Sequence, residues 1–329
     1  MIISRTPFRI SFFGGGTDYP LWYKENGGAV LSTTIDKYCY VTCRRLPPFF
    51  EYKHRIVYSK YEQVNTIDQI VHPAVREVFR FMDINEGLEI HHDGDLPARS
   101  GLGSSSSFTV GLLHALYALQ GKMVTKKRLA LEAINIEQDL IKENVGSQDQ
   151  VIASFGGLNK IEFSGQHNIE IRPVILPEKR MEEFQSSLLL FFTGFTRIAS
   201  DFAKDKILKI PKRFKELKEM HSMAEEGVKI ITGKGGIDEF GRLLNECWKI
   251  KKTLSDKVTN SDIDQIYKKA IKAGAIGGKL LGAGGGGFIL FFATPEKKQR
   301  IIDSLGLLHV PFKFDKTGSQ IIYYSQSGV

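Results

Sequence analysis

Short apolar runs dominate the first half of the chain. They are rich in β-branched and aromatic residues and are bounded by Gly, Pro or Asp, which is typical of β-strands. The strands predicted in this way are RISFF at 9–13, AVLSTTIDKYCYVTC at 29–43, RIVYS at 55–59 and GLEIHH at 87–92. The segment DQIVHPAVREVFRFM at 68–82 has helical spacing instead, with a proline in its first turn.

Two longer helices follow the last of these strands. One is predicted from about Ser105 to Leu119, because Phe108, Leu112, Ala115 and Leu119 fall on one face. The other spans residues 125–144 and begins at the capping residue Thr125. A further short helix is predicted just after it, in VGSQDQVIASFGG at 145–157.

Helices dominate the second half of the chain, which begins near the apolar strand SSLLLFFTGF at 186–195. Three helices are predicted at 214–231, 237–255 and 261–274. They are followed by the strand GFILFFA, a helix at 295–306 and the closing strands VPFKF and SQIIYYS. Because strands and helices do not strictly alternate, the order favours an α+β fold. We place a domain boundary near residue 182, between domains 1–181 and 182–329.

Composition indicates a folded protein with no membrane segment. Hydrophobic residues make up 42% and charged residues 25% of the chain. No apolar run approaches the roughly 20 residues that span a bilayer, and the N-terminus lacks the features of a signal peptide. We therefore expect a cytoplasmic protein. Its cysteines, Cys39, Cys43 and Cys247, are too few for a disulfide framework, and buried reduced thiols are expected.

The net charge of +8 suits acidic ligands, including phosphorylated metabolites and nucleic acid. Lys and Arg are nevertheless spread along the chain, without a dense basic block interleaved with aromatic residues. The pattern is more typical of a solvated basic surface than of a nucleic-acid interface. We expect no nucleic-acid or membrane partner, although an RNA-binding protein is the reading that the charge alone would support.

Three glycine-rich segments stand next to strong strands or helices, at 12–20, 100–107 and 279–292. Tight turns would explain any one of them, but three suggest function. In the second, SGLGSSSS, glycines let a ligand approach the backbone where a helix begins. The free N–H groups and the helix dipole at that point favour a phosphate. Ordinary N-capping needs one serine, whereas this segment has four.

Several common motifs are absent. The chain has no GxxxxGK[ST] phosphate loop and no GxSxG serine-hydrolase elbow. The GxGxxG match at Gly282, Gly284 and Gly287 precedes a strand, whereas a dinucleotide-binding fingerprint precedes a helix. Carboxylates lie near the phosphate segment in sequence order, at Glu132, Glu137, Asp139 and Asp149. Most would be solvated charges, but a phosphate cradle with nearby acids is what ATP-dependent phosphoryl transfer requires.

With these motifs in their order, the chain resembles the GHMP kinases, named for galactokinase, homoserine kinase, mevalonate kinase and phosphomevalonate kinase. Its three signature motifs correspond to PFRISFFGGGTDYP, LPARSGLGSSSSF and KLLGAGGGGFILFF. The resemblance covers essentially the whole chain. It implies an ATP- and Mg²⁺-dependent sugar kinase with a two-domain α+β fold. The N-terminal domain would carry the GLGSSS phosphate loop, and the C-terminal domain would be ferredoxin-like.

The resemblance also assigns roles by motif position. Asp149 matches the catalytic aspartate that accepts the substrate's proton, and Arg9 the basic residue beside it. Ser105 and Glu137 match the magnesium ligands. The residues that would bind ATP are Arg99, Gly101, Leu102, Gly103, Ser104, Ser105, Ser106 and Ser107. Those that would bind the substrate are Gly14, Gly15, Gly16, Thr17, Asp18, Gly284 and Gly285, with Gly282 to Gly286 lining the floor of the cleft.

One departure bears on the substrate. Galactokinases carry a glutamate and a histidine where this chain has Gly15 and Gly16. The glycine-rich form is instead similar to bacterial D-glycero-D-manno-heptose 7-phosphate kinases. Those enzymes make the 1,7-bisphosphate for nucleotide-activated heptose and surface polysaccharide. Candidates to hold the substrate's own phosphate are Arg99, Lys279, Arg44 and Arg45, although the sequence favours a surface role for each of them.

Two other functions remain open within the resemblance. One is a kinase for another sugar, similar to fucose or galactose. The other is a non-catalytic sensor that binds ATP and sugar without phosphoryl transfer. The joint presence of Asp149, Ser105 and Glu137 argues against the sensor, which needs no base and no metal ligands. The expected partners are ATP and a sugar phosphate, with the protein a monomer or a homodimer.

Overall fold

A computed structural model of the chain describes residues 1–98, 100–165, 168–194 and 213–325. Its strands are β1 Ile2–Phe13, β2 Gly28–Arg45, β3 His54–Val57, β4 Tyr61–Val64, β5 Leu88–Gly94, β6 Leu158–Ser164, β7 Asn168–Pro173, β8 Leu188–Phe192, β9 Gly277–Leu280, β10 Phe288–Phe292, β11 Leu308–His309, β12 Phe314–Asp315 and β13 Gln320–Tyr324. Its α-helices are α1 Pro20–Asn26, α2 Pro73–Phe81, α3 Ser104–Leu119, α4 Lys126–Asn135, α5 Gln148–Phe155, α6 Glu178–Ser186, α7 Phe214–Thr232, α8 Asp238–Thr253, α9 Ser261–Ala273 and α10 Lys298–Leu305.

The larger sheet has nine strands within these ranges. Its main path is β13-β1-β2-β5-β3-β4. The long strand β2 pairs with β6 through its first residues and with β5 through its last. Helix α3 packs on β1 and β2 and is apolar on nearly every side, so most of its side chains are buried. A helix buried in this way holds its N-terminus in a fixed place against the sheet.

The smaller sheet has the antiparallel order β11-β8-β10-β9 in the described part of the chain. Counted along the chain, this order is 4-1-3-2, with helices between the first and second strands and between the third and fourth. That is the ferredoxin-like arrangement, as predicted for the C-terminal domain. The predicted two-domain α+β fold is therefore confirmed.

A single apolar core joins the two sheets. Phe12 of β1 packs against Phe184 of α6 and Phe240 of α8, with ring centroids 5.4 Å apart in both pairs. The ends of the chain also return to the larger sheet, because β13 pairs with β1 and β12 pairs with β2. The predicted boundary at residue 182 falls inside α6 and stays a prediction.

Several predicted elements differ from those observed. The helix expected to continue to residue 144 ends as an α-helix at Asn135 and continues as a π-helical turn, Ile136–Leu140. Of the predicted strand VPFKF, Phe314 is the residue that falls in a strand, as the first residue of β12, although Val310 N also donates to the carbonyl of Leu190. Pro311 within it has no N–H to donate to a neighbouring strand. The pattern gave no signal for β4, β6, β7, β9 or α6, which are short or polar.

Two expectations from composition can be compared with the structure. Cys39, Cys43 and Cys247 are buried and not bonded to one another, as predicted. Among the described residues, no helix combines the length and the apolar character needed to cross a membrane.

Candidate active site

A cavity of about 270 Å³ opens between β1, the start of α3, the loop before α5 and the segment after β9. The three glycine-rich motifs all contribute to its walls, although they are far apart in sequence. Its lining residues are Arg9, Ser11, Gly15, Gly16, Asp18, Tyr19, Gly101, Gly103, Ser104, Ser105, Ser106, Glu143, Asn144, Val145, Gly146, Gln148, Asp149, Lys251, Lys279, Gly282 and Ala283.

Arg9 and Asp149 form a two-pronged ion pair in this cavity. The Arg9 Nε donates to Asp149 Oδ1 and its Nη2 to Oδ2, both at 2.7 Å. The Arg9 Nη1 donates to the carbonyl of Gly101, also at 2.7 Å, which ties the pair to the phosphate loop. The Arg9 side chain is 6% exposed and that of Asp149 is 24% exposed. Such a fork fixes the carboxylate and leaves part of it open to a substrate in the cavity.

The phosphate loop approaches this pair closely. Gly103 immediately precedes α3 with φ of 78°, in the left-handed region that favours glycine. A Cβ there would lie 3.2 Å from Arg9 Cγ and 3.4 Å from Asp149 Oδ2. Gly103 has no side chain with which to cap the first N–H groups of α3. The positive end of a 16-residue helix therefore faces the cavity beside the ion pair, an arrangement that suits a phosphate.

The four serines differ in what they contact. Ser104 and Ser105 line the cavity, whereas the Ser107 hydroxyl donates to the carbonyl of Pro7. The Ser106 hydroxyl donates to Glu137 Oε2 at 2.8 Å. The serine bonded to Glu137 is therefore Ser106, whereas the resemblance names Ser105 together with Glu137 as magnesium ligands. The rotation of α3 about its own axis decides which serine contacts Glu137, because it turns Ser106 inward and leaves Ser105 exposed. The side chain of Leu102 is also buried. The Leu102 carbonyl oxygen accepts a hydrogen bond from the backbone N–H of Arg9.

Glu137 is fully buried in the π-helical turn behind Ser106. Burial raises the pKa of Glu137 to about 7, against the opposing effect of the Ser106 hydrogen bond. Its Oε2 accepts from Ser106 and Gln150, but its Oε1 has no hydrogen-bond partner in the described part of the chain. A buried carboxylate oxygen without a donor suits a cation, and carboxylate and hydroxyl oxygens suit Mg²⁺. The residues present therefore fit a divalent cation.

Motif one divides into a structural part and a part that faces the cavity. Asp18 is buried, and its carboxylate accepts from Gly16 N at 2.8 Å and from Gln148 Nε2 at 2.9 Å. Thr17 does not line the cavity. Its hydroxyl donates to the carbonyls of Gly14 and Ala29 and so braces the backbone, while the expected contact with a sugar stays a prediction. Gly14 also does not line the cavity. It packs against the backbone of β2, where a Cβ on it would come within 1.8 Å of the Ala29 carbonyl oxygen.

Motif three contributes less of the cavity floor than its sequence suggests. Gly282 and Ala283 line the cavity, but Gly284 and Gly285 do not. Those two glycines pack against Val258 instead: Gly285 N donates to its carbonyl, and a Cβ on Gly284 would lie 2.7 Å from its Cα. Both glycines therefore have a packing role in this structure, and the substrate contacts predicted for them stay predictions.

The sequence did not indicate several residues that line the cavity, among them Ser11, Tyr19, Gln148, Lys251 and the loop at 143–146. Lys251 donates to the carbonyls of Leu280 and Gly282, both at 2.7 Å, and so holds the motif-three loop. No local signal marks these positions, because each lies in an otherwise ordinary helix, strand or loop.

The candidate phosphate-binding cations have different positions. Lys279 is buried and lines the cavity. Arg44 and Arg45 lie at the far end of β2, paired with Glu89 and Glu86. Arg99 lies outside the described residues.

Comparisons with known proteins identify the family to which the chain is similar. A family model for the GHMP kinases N terminal domain matches residues 66–157, and one for the GHMP kinases C terminal matches residues 223–307. The chain is 30% identical to a D-glycero-alpha-D-manno-heptose 7-phosphate kinase of Campylobacter jejuni, over 92% of this chain and 93% of that protein. It is 26% identical to a galactokinase of Pyrococcus furiosus, over 92% of both chains.

A solved structure extends the likeness to the fold. The crystal structure of a D-glycero-D-manno-heptose 1-phosphate kinase from Bacteroides thetaiotaomicron matches with a TM-score of 0.81 and 23% identity. The match covers 99% of this chain and 100% of that one.

Proposed function

This chain belongs to the GHMP kinases, ATP-dependent phosphotransferases, and we propose that it phosphorylates the anomeric hydroxyl of D-glycero-D-manno-heptose 7-phosphate. The product is the 1,7-bisphosphate, an intermediate for nucleotide-activated heptose and surface polysaccharide. The observation that carries this proposal is the two-pronged Arg9–Asp149 ion pair beside the N-terminus of α3. We place the enzyme in the cytoplasm, as a monomer or a homodimer.

In the proposed reaction, the triphosphate of ATP would lie against the first N–H groups of α3 and the Gly101–Ser104 loop. The substrate hydroxyl would approach Asp149, whose carboxylate accepts its proton as the new O–P bond forms. The bond between the γ-phosphorus and the β-γ bridging oxygen breaks, and ADP leaves. Arg9 would hold the Asp149 carboxylate in the orientation in which it meets the substrate hydroxyl. Its contribution to catalysis would be this positioning of a reacting group.

The metal is part of the proposal. Ser105 and Glu137, with Ser106 orienting the carboxylate, would hold Mg²⁺. When bound, the ion neutralises charge on the phosphates. The exposed hydroxyl of Ser105 and the free oxygen of Glu137 are the chain's contribution to that site.

The choice of substrate rests on motif one and on the relatives. Gly15 and Gly16 line the cavity where galactokinases have larger side chains, which leaves room for a longer sugar. The Campylobacter relative is named for this substrate, whereas the Bacteroides structure is named for a heptose 1-phosphate. A kinase for a sugar similar to galactose or fucose is the second candidate, favoured by the galactokinase likeness. A sensor without catalysis is disfavoured by the retained Arg9–Asp149 pair.

The test is a panel assay. The protein is incubated with ATP, Mg²⁺ and one sugar at a time: heptose 7-phosphate, heptose 1-phosphate, unphosphorylated heptose, galactose or fucose. Products are identified by mass spectrometry and by the position of the new phosphate. We expect the 1,7-bisphosphate from the 7-phosphate alone. Turnover of galactose or fucose without turnover of the 7-phosphate would refute the substrate, and no turnover of any sugar would favour the sensor.

A further inference from the structure

The cavity also contains buried polar groups that the proposed reaction does not use. Ser11, Gln148 and Lys279 are among its lining residues, and we call these three the distal subsite. Gly15 lies between two of them, because a Cβ on it would be 3.9 Å from Ser11 Oγ and 4.0 Å from Gln148 Nε2. The three side chains come from β1, α5 and β9, so only the tertiary fold brings them together.

Two atoms of the distal subsite lack partners. Ser11 and Gln148 are 6% and 8% exposed, and within the described ranges neither Ser11 Oγ nor Gln148 Oε1 has a hydrogen-bond partner. The other end of the Gln148 amide is engaged, since its Nε2 donates to Asp18. Buried polar atoms are normally bonded, and the exceptions call for an explanation. A bound ligand that supplies an acceptor to Ser11 and a donor to Gln148 provides one.

Lys279 is the third member. It is 3% exposed, and its Nζ donates to the carbonyl of Phe12 at 2.7 Å. Among the described residues it forms no ion pair, although an ammonium group has three N–H donors. Burial lowers the pKa of Lys279, because the charged form loses its water. The charge of Asp18 favours the ammonium form and that of Arg9 opposes it, so burial of this cation stays costly and an anion in the cavity would offset that cost.

The spacing of the subsite suits one sugar. Arg9 and Ser11 are two residues apart on β1, and both face the cavity. Strand geometry therefore separates the Cα atoms of Arg9 and Ser11 by about 6.6 Å. That distance is comparable with the span from a reacting hydroxyl at one side of a sugar ring to a substituent at the other. A substrate held at Asp149 by its hydroxyl can reach the distal subsite with its far end.

We propose that Lys279 and Ser11 bind the phosphate that the sugar substrate already carries, while Gln148 Oε1 accepts a hydrogen bond from a sugar hydroxyl. The proposal rests on the proposed function, because it requires a sugar-phosphate substrate. It assigns specificity to the distal subsite and catalysis to the Arg9–Asp149 end. The absence of a side chain at Gly15 keeps the phosphate position open.

The first test replaces Lys279 with a neutral side chain of similar length, Lys279→Met. We expect KM for heptose 7-phosphate to rise about 100-fold, the loss typical of removing one partner of a buried charged pair. The kcat and the KM for ATP should stay within a few-fold, and the preference over unphosphorylated heptose should disappear. The matched control is Lys160→Met, because Lys160 is also buried but pairs with Glu162 and Glu225 away from the cavity.

A second variant covers the case in which Lys279→Met does not fold. Gly15→Glu introduces a carboxylate next to the subsite at a position where an added Cβ makes only ordinary contacts. Like-charge repulsion should weaken binding of the sugar phosphate by at least about tenfold more than Gly15→Ala does. If Gly15→Glu and Gly15→Ala have the same KM for heptose 7-phosphate, the phosphate does not lie there.

Calorimetric titration of heptose 7-phosphate, without ATP, separates the two proposals. If wild-type protein binds the sugar phosphate and Lys279→Met does not, the distal subsite stands even when no turnover is found and the proposed function fails. If the wild type phosphorylates heptose 7-phosphate but Lys279→Met leaves both KM and binding unchanged, the subsite is wrong and the function stands. No binding and no turnover by the folded wild type would overturn both.

Discussion

Two groups of residues in the cavity differ in how completely their polar atoms are paired: the Arg9–Asp149 ion pair, which we call the reaction end, and the distal subsite. At the reaction end, Arg9 makes three hydrogen bonds at 2.7 Å, two of them to Asp149. At the distal subsite, Ser11 Oγ and Gln148 Oε1 have no partner among the described residues. The first end is set before any substrate binds, as catalysis by positioning requires. The second is completed by a ligand, and a site of that kind rejects analogues that lack the matching group.

The largest effect is expected at the reaction end. Asp149→Asn should keep ATP binding but lower kcat by roughly 10²–10⁴-fold, the usual worth of a positioned proton acceptor. Steady-state kinetics and a nucleotide titration measure the two properties separately. Asp139→Asn, at an exposed carboxylate ten residues earlier, is the control. Unchanged turnover in Asp149→Asn would mean that another group or solvent takes the proton.

The next largest effect is expected at Asp18, a buried carboxylate that lines the cavity. A Cβ on Gly146 would come within 1.9 Å of Asp18 Oδ2, so Gly146→Ala must displace that carboxylate from its hydrogen bonds. A displacement of about 1 Å can cost as much as about 100-fold. We expect KM for the sugar to rise about 10- to 100-fold while KM for ATP is retained. Gly235→Ala is the matched control, because nothing lies within 4 Å of its added Cβ. Equal sugar kinetics in the two variants would show that Asp18 does not touch the sugar.

A smaller effect concerns the serines at the start of α3. Ser105→Ala should raise the Mg²⁺ concentration for half-maximal rate by removing a ligand. Ser106→Ala should do so by freeing Glu137, and changes in such supporting contacts cost about 10- to 100-fold in metal affinity. Measuring the rate of each variant as a function of Mg²⁺ concentration gives these two values. Ser222→Ala, on the exposed face of α7, is the control. Wild-type titrations for both variants would remove the metal from this end of the cavity.

The last prediction concerns the stability of the fold at low pH, and its effect on the cavity is expected to be the smallest. Burial lowers the pKa of His54, His72 and His114 from 6.5 to about 4 each, and none of them lines the cavity. The unfolded chain therefore binds protons more readily than the folded one between those values. Glu137 acts in the opposite sense, because its pKa is raised to about 7, but three imidazoles outweigh one carboxyl, so stability should fall as the pH drops from about 6.5 towards 4. Urea unfolding at pH 7 and pH 5 measures this, and His114→Gln should flatten the dependence. Equal midpoints at both pH values for the wild type would contradict it.

Much of the reaction end could be predicted from the chain because its signals are local. A glycine pair before an apolar helix, a basic residue on a strand and an aspartate at a helix start are short patterns with direct physical meaning. Resemblance then supplied their roles. The α+β class followed from the order of strands and helices, and the structure confirms it. Short strands such as β9 and the polar helix α6 gave too weak a periodicity to be found.

The distal subsite had no comparable signal. Ser11 and Lys279 stand inside motifs one and three and Gln148 precedes Asp149, but nothing local shows that these three side chains meet, and of them only Lys279 was named, as one of four candidate cations. The choice between Ser105 and Ser106 likewise depended on how α3 is rotated against β1 and β2. Thr17 was placed near the sugar by its motif, but packing turned its hydroxyl to the backbone.

The amino-acid sequence by itself therefore determined most of the elements, the glycine- and serine-rich helix start and the kind of chemistry available. Periodicity, glycine placement and charge act over a few residues and can be recognised along the chain. The tertiary structure decided which polar groups are buried together and which of them remain without a partner. Burial and pairing depend on elements that are distant in sequence, and their free energies arise only when those elements pack.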